Sequence, residues 1–482
     1  LLRLIAPVPS TDLPGILAHL EEGGFFARSR TLPNMEVTFR HALVQEVAYA
    51  TLTKRERQPL HGRVLRGLRR RREHELPSRV ELMAHHAFFA EEWVAACAYG
   101  RRAGQRAEGR CKHADAGRFY GNALKALDHL PATRRNQQRR IDLWIAVPRI
   151  LLPQGGRGAG DLLDKARELA LTLGDRGRHA RAASLLASFQ WAYGNLDLAI
   201  KLCREALDNI GDEPDVTARV QILVRLGGPL SEKGFFREAC VILDEARALA
   251  LSKEMFGRYG LTTVAAASTA AYQSRCLAEL GAYADAVRKA EQALDTAQES
   301  GHAFSMAVAN LYLGLAHIVA GQFASAIPLL KTALTITEAT RLHIYQPLTL
   351  GALGYALSST GSLAEGLALL TASHQHARML RQVRHEPQIL VWMADIAFAT
   401  GDVGNAIRYA EDAAAVAEQA GQLSDRAAAL VALSRAFIKA SRIVDAESAL
   451  GIAEELGGQL AMAPLLQRCA ECRRSIAAVY TP

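Results

Sequence analysis

Long hydrophobic runs are missing from this sequence of 482 residues. No window holds 18 consecutive apolar residues, which excludes a transmembrane helix and leaves no reason to expect a membrane partner. The opening segment LLRLIAPVPS has no basic region ahead of its apolar run, so it is typical of a helix and not of a secretory signal. An initiator methionine is also missing, and we expect the chain to be the C-terminal part of a longer protein.

Aromatic residues are scarce, at 6% of the chain, whereas 50% of the residues are apolar, with Ala and Leu foremost. A chain of this length exceeds one ordinary compact domain, and its apolar content is sufficient for a large core. Small aliphatic side chains favour helices that pack closely together. The composition therefore predicts a mainly helical protein with more than one domain.

Paired cysteines are lacking too. The seven cysteines are odd in number and irregularly spaced, which argues against a disulfide framework and indicates a reducing, cytoplasmic environment. Cys469 and Cys472 form a C-x-x-C, but a zinc site of this kind needs a second pair, and the sequence has none. We expect these two residues one turn apart on a helix, with no metal and no redox role.

Catalytic motifs are missing as well. The sequence has no G-x-x-x-x-G-K-[ST], and the glycine-rich stretch 154–160 is followed by no Lys-Ser/Thr, so a phosphate-binding loop is excluded. It also lacks G-x-S-x-G, H-E-x-x-H and the paired acids of a cyclase. His85 and His86 are adjacent on a predicted helix, about 100° apart, and make a poor metal pair. We therefore predict no enzyme activity, no cofactor and no metal for this chain.

What the sequence has is a repeated phrase, of which GQFASAIPLLKTAL from Gly321 onward is one copy. The copies begin at Gly194, Gly234, Gly281, Gly321, Gly361, Gly401 and Ser441. Their spacing is constant except for one longer step, from Gly234 to Gly281. In the copy at Gly321, small or aliphatic residues follow at Ala326, Leu330 and Ala333, and this spacing places them on one helix face.

A second helix is predicted ahead of each phrase, and it carries a large residue followed by a small one, as at Leu313 and Gly314. The small residue lets the two helices approach closely, and the glycine that begins the phrase ends the first helix in a left-handed turn. Each copy is therefore a helical hairpin. One hairpin cannot bury its apolar face alone, so the hairpins must stack.

This pattern resembles the tetratricopeptide repeat over roughly residues 150–460, although the period is longer than the usual one of about 34 residues. The resemblance implies an all-α, TPR-like α-solenoid. It also implies that a protein, a peptide or a small effector binds in the concave groove, through outward-facing positions of the first helix of each hairpin.

Residues 1–75 have a different pattern. A helix is predicted in STDLPGILAHLEEGG, followed by strands in FFARSR and MEVTFR that are joined by a TLPN turn. Helices around a β-hairpin suggest a small winged-helix domain. We divide the chain into a winged helix with junction helices at 1–75, a helical linker with a first hairpin at 76–148, and a TPR-like superhelix at 149–482.

The segment FRHALVQ from Phe39, the pair Leu60-His61 and the stretch 90–107 are similar to the region between winged helix and repeats in STAND-type ATPases. Bacterial class III adenylate and guanylate cyclases that carry an ATPase and a tetratricopeptide tail are the most similar group. The resemblance implies a sensor arm of a signalling ATPase, with the ATPase domain upstream. ATP or ADP would then bind through that missing domain, not through this chain.

In such ATPases a winged-helix histidine can reach the phosphate of bound ADP, and the resemblance implies this nucleotide-sensing role for His41. The alternative is that His41 only packs or caps at the junction of strand and helix.

Basic residues are concentrated at the N-terminal end. Residues 1–140 have a net charge of +11 and the remainder −3, so the chain is not a uniformly basic nucleic-acid binder. Arg66, Arg69 and Arg70 share one face of a predicted helix. They could contact the upstream ATPase domain, bind DNA, or lie in solvent. We expect interdomain contact and no DNA partner.

Two other functions stay open. The chain could be the ligand-sensing region of a LuxR-type ATP-dependent transcription regulator, or a stand-alone TPR scaffold. A LuxR-type helix-turn-helix would follow the repeats, whereas a cyclase would precede the ATPase. The residues encoded before Leu1 would discriminate, because a phosphate-binding loop there would exclude the plain scaffold.

Overall fold

The structure is a computed structural model that describes residues 6, 8–9, 11–28, 37–70, 79–110, 112–151, 158–210, 216–259, 261–340, 343–380 and 384–480. The chain divides into two compact units, residues 1–151 and 152–482. The predicted helix in LLRLIAP and the TLPN turn lie outside the described residues. Among the helices that are described, none combines the length and the apolar character needed to cross a bilayer.

The N-terminal unit contains one pair of strands and a series of helices. In chain order its described elements are α1 (Leu13–Glu22), β1 (Phe26–Arg28), β2 (Val37–Phe39), α2 (Ala42–Ala50), α3 (Lys54–Arg69), α4 (Val80–Phe89), α5 (Trp93–Gly109), α6 (His113–Asp128) and α7 (Arg134–Leu151). The strands are antiparallel, with Phe26 opposite Phe39. The predicted helix α1 and both predicted strands are therefore present, and the strands of the described residues are confined to this segment.

Helices α3 to α7 share one hydrophobic core. Leu65 on α3, Cys97 on α5 and Tyr120 on α6 are among its buried members. Helix α3 begins with a capping box, in which the Thr53 side chain accepts from the Glu56 backbone and the Glu56 carboxylate accepts from the Thr53 backbone N–H at 2.7 Å. The start of α3, and so the position of the side chains along it, is fixed by these local bonds.

The C-terminal unit consists of helices. They are α8 (Ala159–Thr172), α9 (Arg176–Ala192), α10 (Leu196–Ile210), α11 (Val216–Lys233), α12 (Phe236–Lys253), α13 (Ala265–Glu279), α14 (Tyr283–Ser300), α15 (Ala303–Val319), α16 (Phe323–Thr340), α17 (Gln346–Ser359), α18 (Leu363–Met379), α19 (Glu386–Ala399), α20 (Val403–Gln419), α21 (Leu423–Lys439), α22 (Ile443–Gln459) and α23 (Ala463–Tyr480). Seven hairpins follow one another from α9–α10 to α21–α22. The predicted all-α, TPR-like solenoid is confirmed.

The small and aliphatic positions of the repeat form the contact between the two helices of each hairpin. In α16, Ala326, Leu330 and Ala333 are fully buried, as predicted. On the preceding helix, a Cβ added to Gly314 would lie 2.8 Å from Cγ of Leu330. Equivalent crowding occurs at Gly227 against Leu243. The large–small pair of the first helix therefore serves the close approach that its pattern predicted.

A left-handed residue ends the first helix of each hairpin. The backbone φ is positive at every position where the repeated phrase begins. These are Gly194, Gly234, Gly281, Gly321, Gly361, Gly401 and Ser441. Ser441 adopts φ of 58° although it has a side chain, which costs about 1–2 kcal/mol relative to glycine.

The first helices of the hairpins form an inner layer and the second helices an outer layer. Helix α15 is buried along most of its faces, whereas α16 buries a single stripe. Inner helices of successive hairpins contact one another, and α11 also contacts α21, five hairpins later. Near that contact, the Ser424 hydroxyl lies 3.4 Å from the Glu232 carbonyl oxygen. The inner layer thus returns to its own second hairpin.

Candidate functional site: a polar pocket in the inner layer

A pocket opens among the inner helices α13, α15, α17, α19 and α21, with a cavity volume of about 80 Å³. Part of its wall is apolar. The lining residues are Arg275, Ala278, Glu279, Tyr312, Leu315, Ala316, Ile318, Val319, Leu348, Arg384, His385, Gln388, Trp392 and Asp425. Apolar walls with a few convergent polar groups are typical of ligand sites.

The central feature is a buried ion pair between Arg384 and Glu232. Arg384 is 5% exposed and Glu232 is 2% exposed. The Arg384 Nε donates to Glu232 Oε1 at 2.5 Å, and the Trp191 Nε1 donates to Glu232 Oε2 at 2.6 Å. The guanidinium also stacks over the Trp191 ring at 4.1 Å from its centroid. Both oxygens of the carboxylate are satisfied, which a buried charge requires.

A second set of charges adjoins this pair. Arg275 on α13 has Nη2 3.7 Å from Asp425 Oδ1 and Nη1 4.0 Å from Glu232 Oε1. Burial raises the pKa of Asp425 to about 7, although Arg275 opposes the rise. Burial also raises the pKa of Glu279. Asp425 therefore changes its charge near neutral pH, beside a cation that does not.

His385 supplies an unpaired polar atom at the pocket wall. It is 3% exposed, and its Nε2 has no hydrogen-bond partner among the described residues. Burial and the adjacent Arg384 and Arg275 hold the pKa of His385 well below its usual range, so the imidazole is neutral. Behind it, Gln422 donates from Nε2 to the Arg384 carbonyl oxygen at 2.7 Å, while Gln422 Oε1 likewise finds no partner in the described part of the chain. Unpaired buried polar atoms are costly unless a bound molecule completes them.

Three tyrosines extend the polar surface. The hydroxyls of Tyr272 and Tyr345 are 3.0 Å apart, and the Tyr272 and Tyr312 rings meet edge to face at 5.5 Å. Burial raises the pKa of Tyr272 and of Tyr312 well above the usual range. Their hydroxyls stay protonated and act as neutral hydrogen-bonding groups.

These groups are suited to recognition. Guanidinium groups can hold carboxylates, the imidazole and carboxamide can bond to amide groups, and Trp392 and Tyr312 offer ring surfaces. Among the described residues, three side chains able to share a metal ion come together at His61, His85 and His86, in the N-terminal unit and not in this pocket.

The site residues predicted from the sequence lie in the N-terminal unit. His41 precedes α2, and its exposed side chain makes no capping hydrogen bond. Arg66, Arg69 and Arg70 are exposed at the end of α3. Arg69 is engaged within the unit, since Nη2 lies 3.0 Å from Glu92 Oε2. Arg66 and Arg70, the other two residues of the predicted contact surface, are also exposed.

The pocket residues could not be named from the sequence. The prediction placed function on outward positions of the first helices, and α13, α15, α19 and α21 do line the pocket. A usable signal was the presence of charged residues inside otherwise apolar first helices, as at Glu232 and Asp425. Which of these charged residues come together depends on the contact between α11 and α21, which the sequence does not reveal.

No protein-family model matches the sequence, and no curated protein is similar to it. The fold is similar to a Rap protein solved in complex with Competence and Sporulation Factor, at 13% identity and a TM-score of 0.61, covering 76% of this chain and 99% of the other. It is also similar to the Rap conjugation gene regulator of the plasmid pLS20 in complex with the Phr* peptide, at 14% identity and a TM-score of 0.51, covering 79% and 96%.

A STAND protein with a tetratricopeptide repeat sensor from Pyrococcus horikoshii is similar at 14% identity over 74% of this chain and 55% of that chain. The TM-score of this match is 0.40. At identities this low, the two Rap structures inform on architecture alone. The C-terminal unit is a TPR-like helical-repeat fold with a polar pocket in its inner layer.

Proposed function

We propose that the C-terminal unit is a sensor arm that binds a short peptide or small effector in the inner pocket. The observation that carries this proposal is His385, whose buried Nε2 lacks a partner among the described residues at a wall that also presents Arg275 and Arg384. The Rap proteins of similar fold were solved with Competence and Sporulation Factor and with the Phr* peptide, which supports a peptide as the ligand.

A ligand in this pocket would contact several inner helices, so its binding would depend on how the hairpins are arranged. A ligand that bonds to Arg275 and His385 touches α13 and the segment before α19 at once, while Asp425 lies at the start of α21. Since α11 and α21 also meet across the inner layer, a ligand that prefers one spacing of these helices would shift their equilibrium. This shift is the signal that the arm would transmit.

A peptide-library experiment tests the proposal on the full chain. The protein is immobilised and incubated with a random library of short peptides, and retained peptides are identified by mass spectrometry. We expect wild type to retain a defined subset, and Gln388→Trp, which fills the pocket, to lose it. Lys201→Ala, on the outer helix α10, is the control and should retain the same peptides.

Retention of no peptide above the empty matrix would contradict the proposal. So would equal retention by Gln388→Trp, provided that circular dichroism shows both proteins folded. Affinities of the retained peptides, measured singly, then give the strength of the site.

The resemblance to STAND ATPases extends the proposal to the N-terminal unit. We propose that α1, β1 and β2 belong to a winged helix, that His41 senses the nucleotide of an upstream ATPase domain, and that this ATPase is fused to a nucleotidyl cyclase in the cytoplasm. Helix α2 exposes large apolar side chains, since Leu43 is 69% exposed and Val47 is 56% exposed. Such exposure favours a further domain that packs against α2.

On this proposal the chain itself has no enzyme activity and binds no ATP or ADP of its own. Purified chain should neither hydrolyse ATP nor form cyclic nucleotides, because the phosphate-binding loop and the acidic metal ligands of those reactions are missing from its sequence. Turnover above that of a mock purification would contradict this expectation.

A further inference from the structure

Three histidines of the N-terminal unit meet at one point. His61 lies on α3, and His85 and His86 lie on α4. The Nδ1 atoms of His61 and His86 are 2.8 Å apart. One ring nitrogen from each of the three histidines lies within 4.8 Å of those of the other two. Two adjacent histidines on one helix diverge, but the third ring, from α3, completes a set that converges.

The surroundings hold these rings in place. His61 is buried, and its ring stacks on Phe89 with centroids 5.3 Å apart. The His85 ring also lies against Phe89, at 4.7 Å. On the other side, the Tyr49 hydroxyl is 2.9 Å from His61 Nε2. If His61 Nδ1 is a ligand atom, Nε2 carries the proton, and Nε2–H donates a hydrogen bond to the Tyr49 hydroxyl oxygen. This bond fixes the tautomer and the ring orientation.

The donor set selects the kind of ion. It consists of imidazole nitrogens without a carboxylate. Hard, oxygen-seeking ions such as Mg²⁺ and Ca²⁺ gain little from imidazole. Zn²⁺ and its first-row neighbours bind imidazole strongly.

The distance between the His61 and His86 nitrogens suits such an ion after a small adjustment. Tetrahedral Zn²⁺ with bonds of about 2.0–2.1 Å places its ligand nitrogens roughly 3.3 Å apart. The two Nδ1 atoms would therefore separate by about 0.5 Å, which a small rotation of either ring supplies. Histidine binds metals through its neutral imidazole, so binding competes with protons.

We propose that His61, His85 and His86 bind one first-row transition-metal ion, of which Zn²⁺ is the representative. His85 is exposed, so the fourth position opens to solvent and takes water. The ion joins α3 to α4. This inference is independent of the function proposed for the inner pocket.

The test uses the full chain without a histidine tag. After removal of metals, Zn²⁺ is titrated by isothermal calorimetry, and Co²⁺ is added in a parallel sample for its visible spectrum. We expect about one ion per chain and a rise in melting temperature on binding. The His85→Gln and His86→Gln variants should each weaken Zn²⁺ binding at least tenfold. His19→Gln, an exposed histidine on α1, is the control and should bind as wild type does.

His85 is exposed, so its replacement should leave the fold intact and keep the test valid if His61 variants do not fold. Loss of the four-coordinate Co²⁺ spectrum in His85→Gln would support direct coordination. Wild-type protein that binds no more Zn²⁺ than the triple variant H61Q/H85Q/H86Q would overturn the proposal. Zn²⁺ binding unchanged in all single variants would overturn it as well.

Discussion

Glu232 illustrates how much a single residue contributes in this molecule. Its carboxylate receives Arg384 and Trp191 at once and lies close to Arg275. The next residue, Lys233, forms its ion pair with Asp197, which is 78% exposed. The two neighbouring acidic residues thus differ strongly in burial and in the number of their partners, and they can be compared at the residue scale.

We predict that Glu232→Ala lowers the free energy of unfolding by about 3–5 kcal/mol, because it leaves the Arg384 guanidinium buried without its anion. Asp197→Ala should change it by less than about 1 kcal/mol, since exposed pairs are screened by water. Urea unfolding of both variants measures the difference. Equal effects of the two substitutions would contradict the assigned role of burial.

Asp425 predicts a pH dependence of stability. Its folded pKa of about 7 lies above that of an unfolded aspartate, so the folded state binds the proton more tightly. The stabilisation of the folded state by this proton is fully present below the unfolded pKa and is lost as pH rises towards 7. The free energy of unfolding then falls with a slope of up to about 1.4 kcal/mol per pH unit. Asp425→Asn should remove this decline. The difference between wild type and variant, followed by urea unfolding from pH 5 to 8, isolates Asp425 from His385, whose lowered pKa acts in the opposite sense.

The hairpin is the unit at the scale of elements, and it could be read from the sequence. Its small and aliphatic positions return at a nearly constant spacing, so each copy supports the assignment of the others. Ala326, Leu330 and Gly314 lie where the pattern placed them. The pocket could not be derived this way, because Glu232 and Arg384 are 152 residues apart and neither belongs to the repeated pattern. A winged helix is not established by the described part of residues 1–75.

We predict that Gly314→Arg destabilises the protein by at least about 3 kcal/mol, because even a Cβ would lie 2.8 Å from Leu330 and a charged chain has no room between α15 and α16. Gly451→Arg is the matched control. Gly451 also lies within a helix, but nothing lies within 4 Å of an added Cβ, so stability should be kept or slightly increased. Thermal melts that show no loss for Gly314→Arg would refute the register of the hairpin.

Ser441 offers the opposite change. It is exposed and holds φ of 58° at the position that is glycine in the other hairpins. Ser441→Gly should raise the free energy of unfolding by about 0.5–1 kcal/mol, since relief of the left-handed strain exceeds the added entropy of the unfolded chain. Gly401→Ser, the reverse change one hairpin earlier, should lower it by a similar amount. Chemical denaturation of both variants provides the measurement, and a stabilised Gly401→Ser would count against this explanation.

At the scale of the whole molecule, charge is distributed unevenly, with +11 on residues 1–140 and −3 on the remainder. The exposed Arg66 and Arg70 belong to the basic part. Electrostatic binding to DNA would weaken steeply with salt, because each neutralised phosphate releases counterions. Docking of these arginines onto a protein domain would leave the isolated chain a poor DNA binder.

We predict the second behaviour, with a Kd for duplex DNA no tighter than about 10⁻⁵ M at physiological salt. The measurement is a titration of labelled duplex with wild type and with Arg66, Arg69 and Arg70 changed to Glu. Tight binding by wild type that the triple change abolishes would instead favour the transcription-regulator function.

The contact between α21 and α11 changes the order in which the hairpins of the solenoid should unfold. A linear array, whose repeats touch only their neighbours, loses its end repeats first, so backbone amides there exchange with solvent fastest. Here Glu232 in the second hairpin is bonded to Arg384, and its carbonyl oxygen accepts from Ser424 in the seventh. The seventh hairpin is therefore bonded to an internal hairpin as well as to its neighbours, so its amides should take up deuterium more slowly than those of a free end.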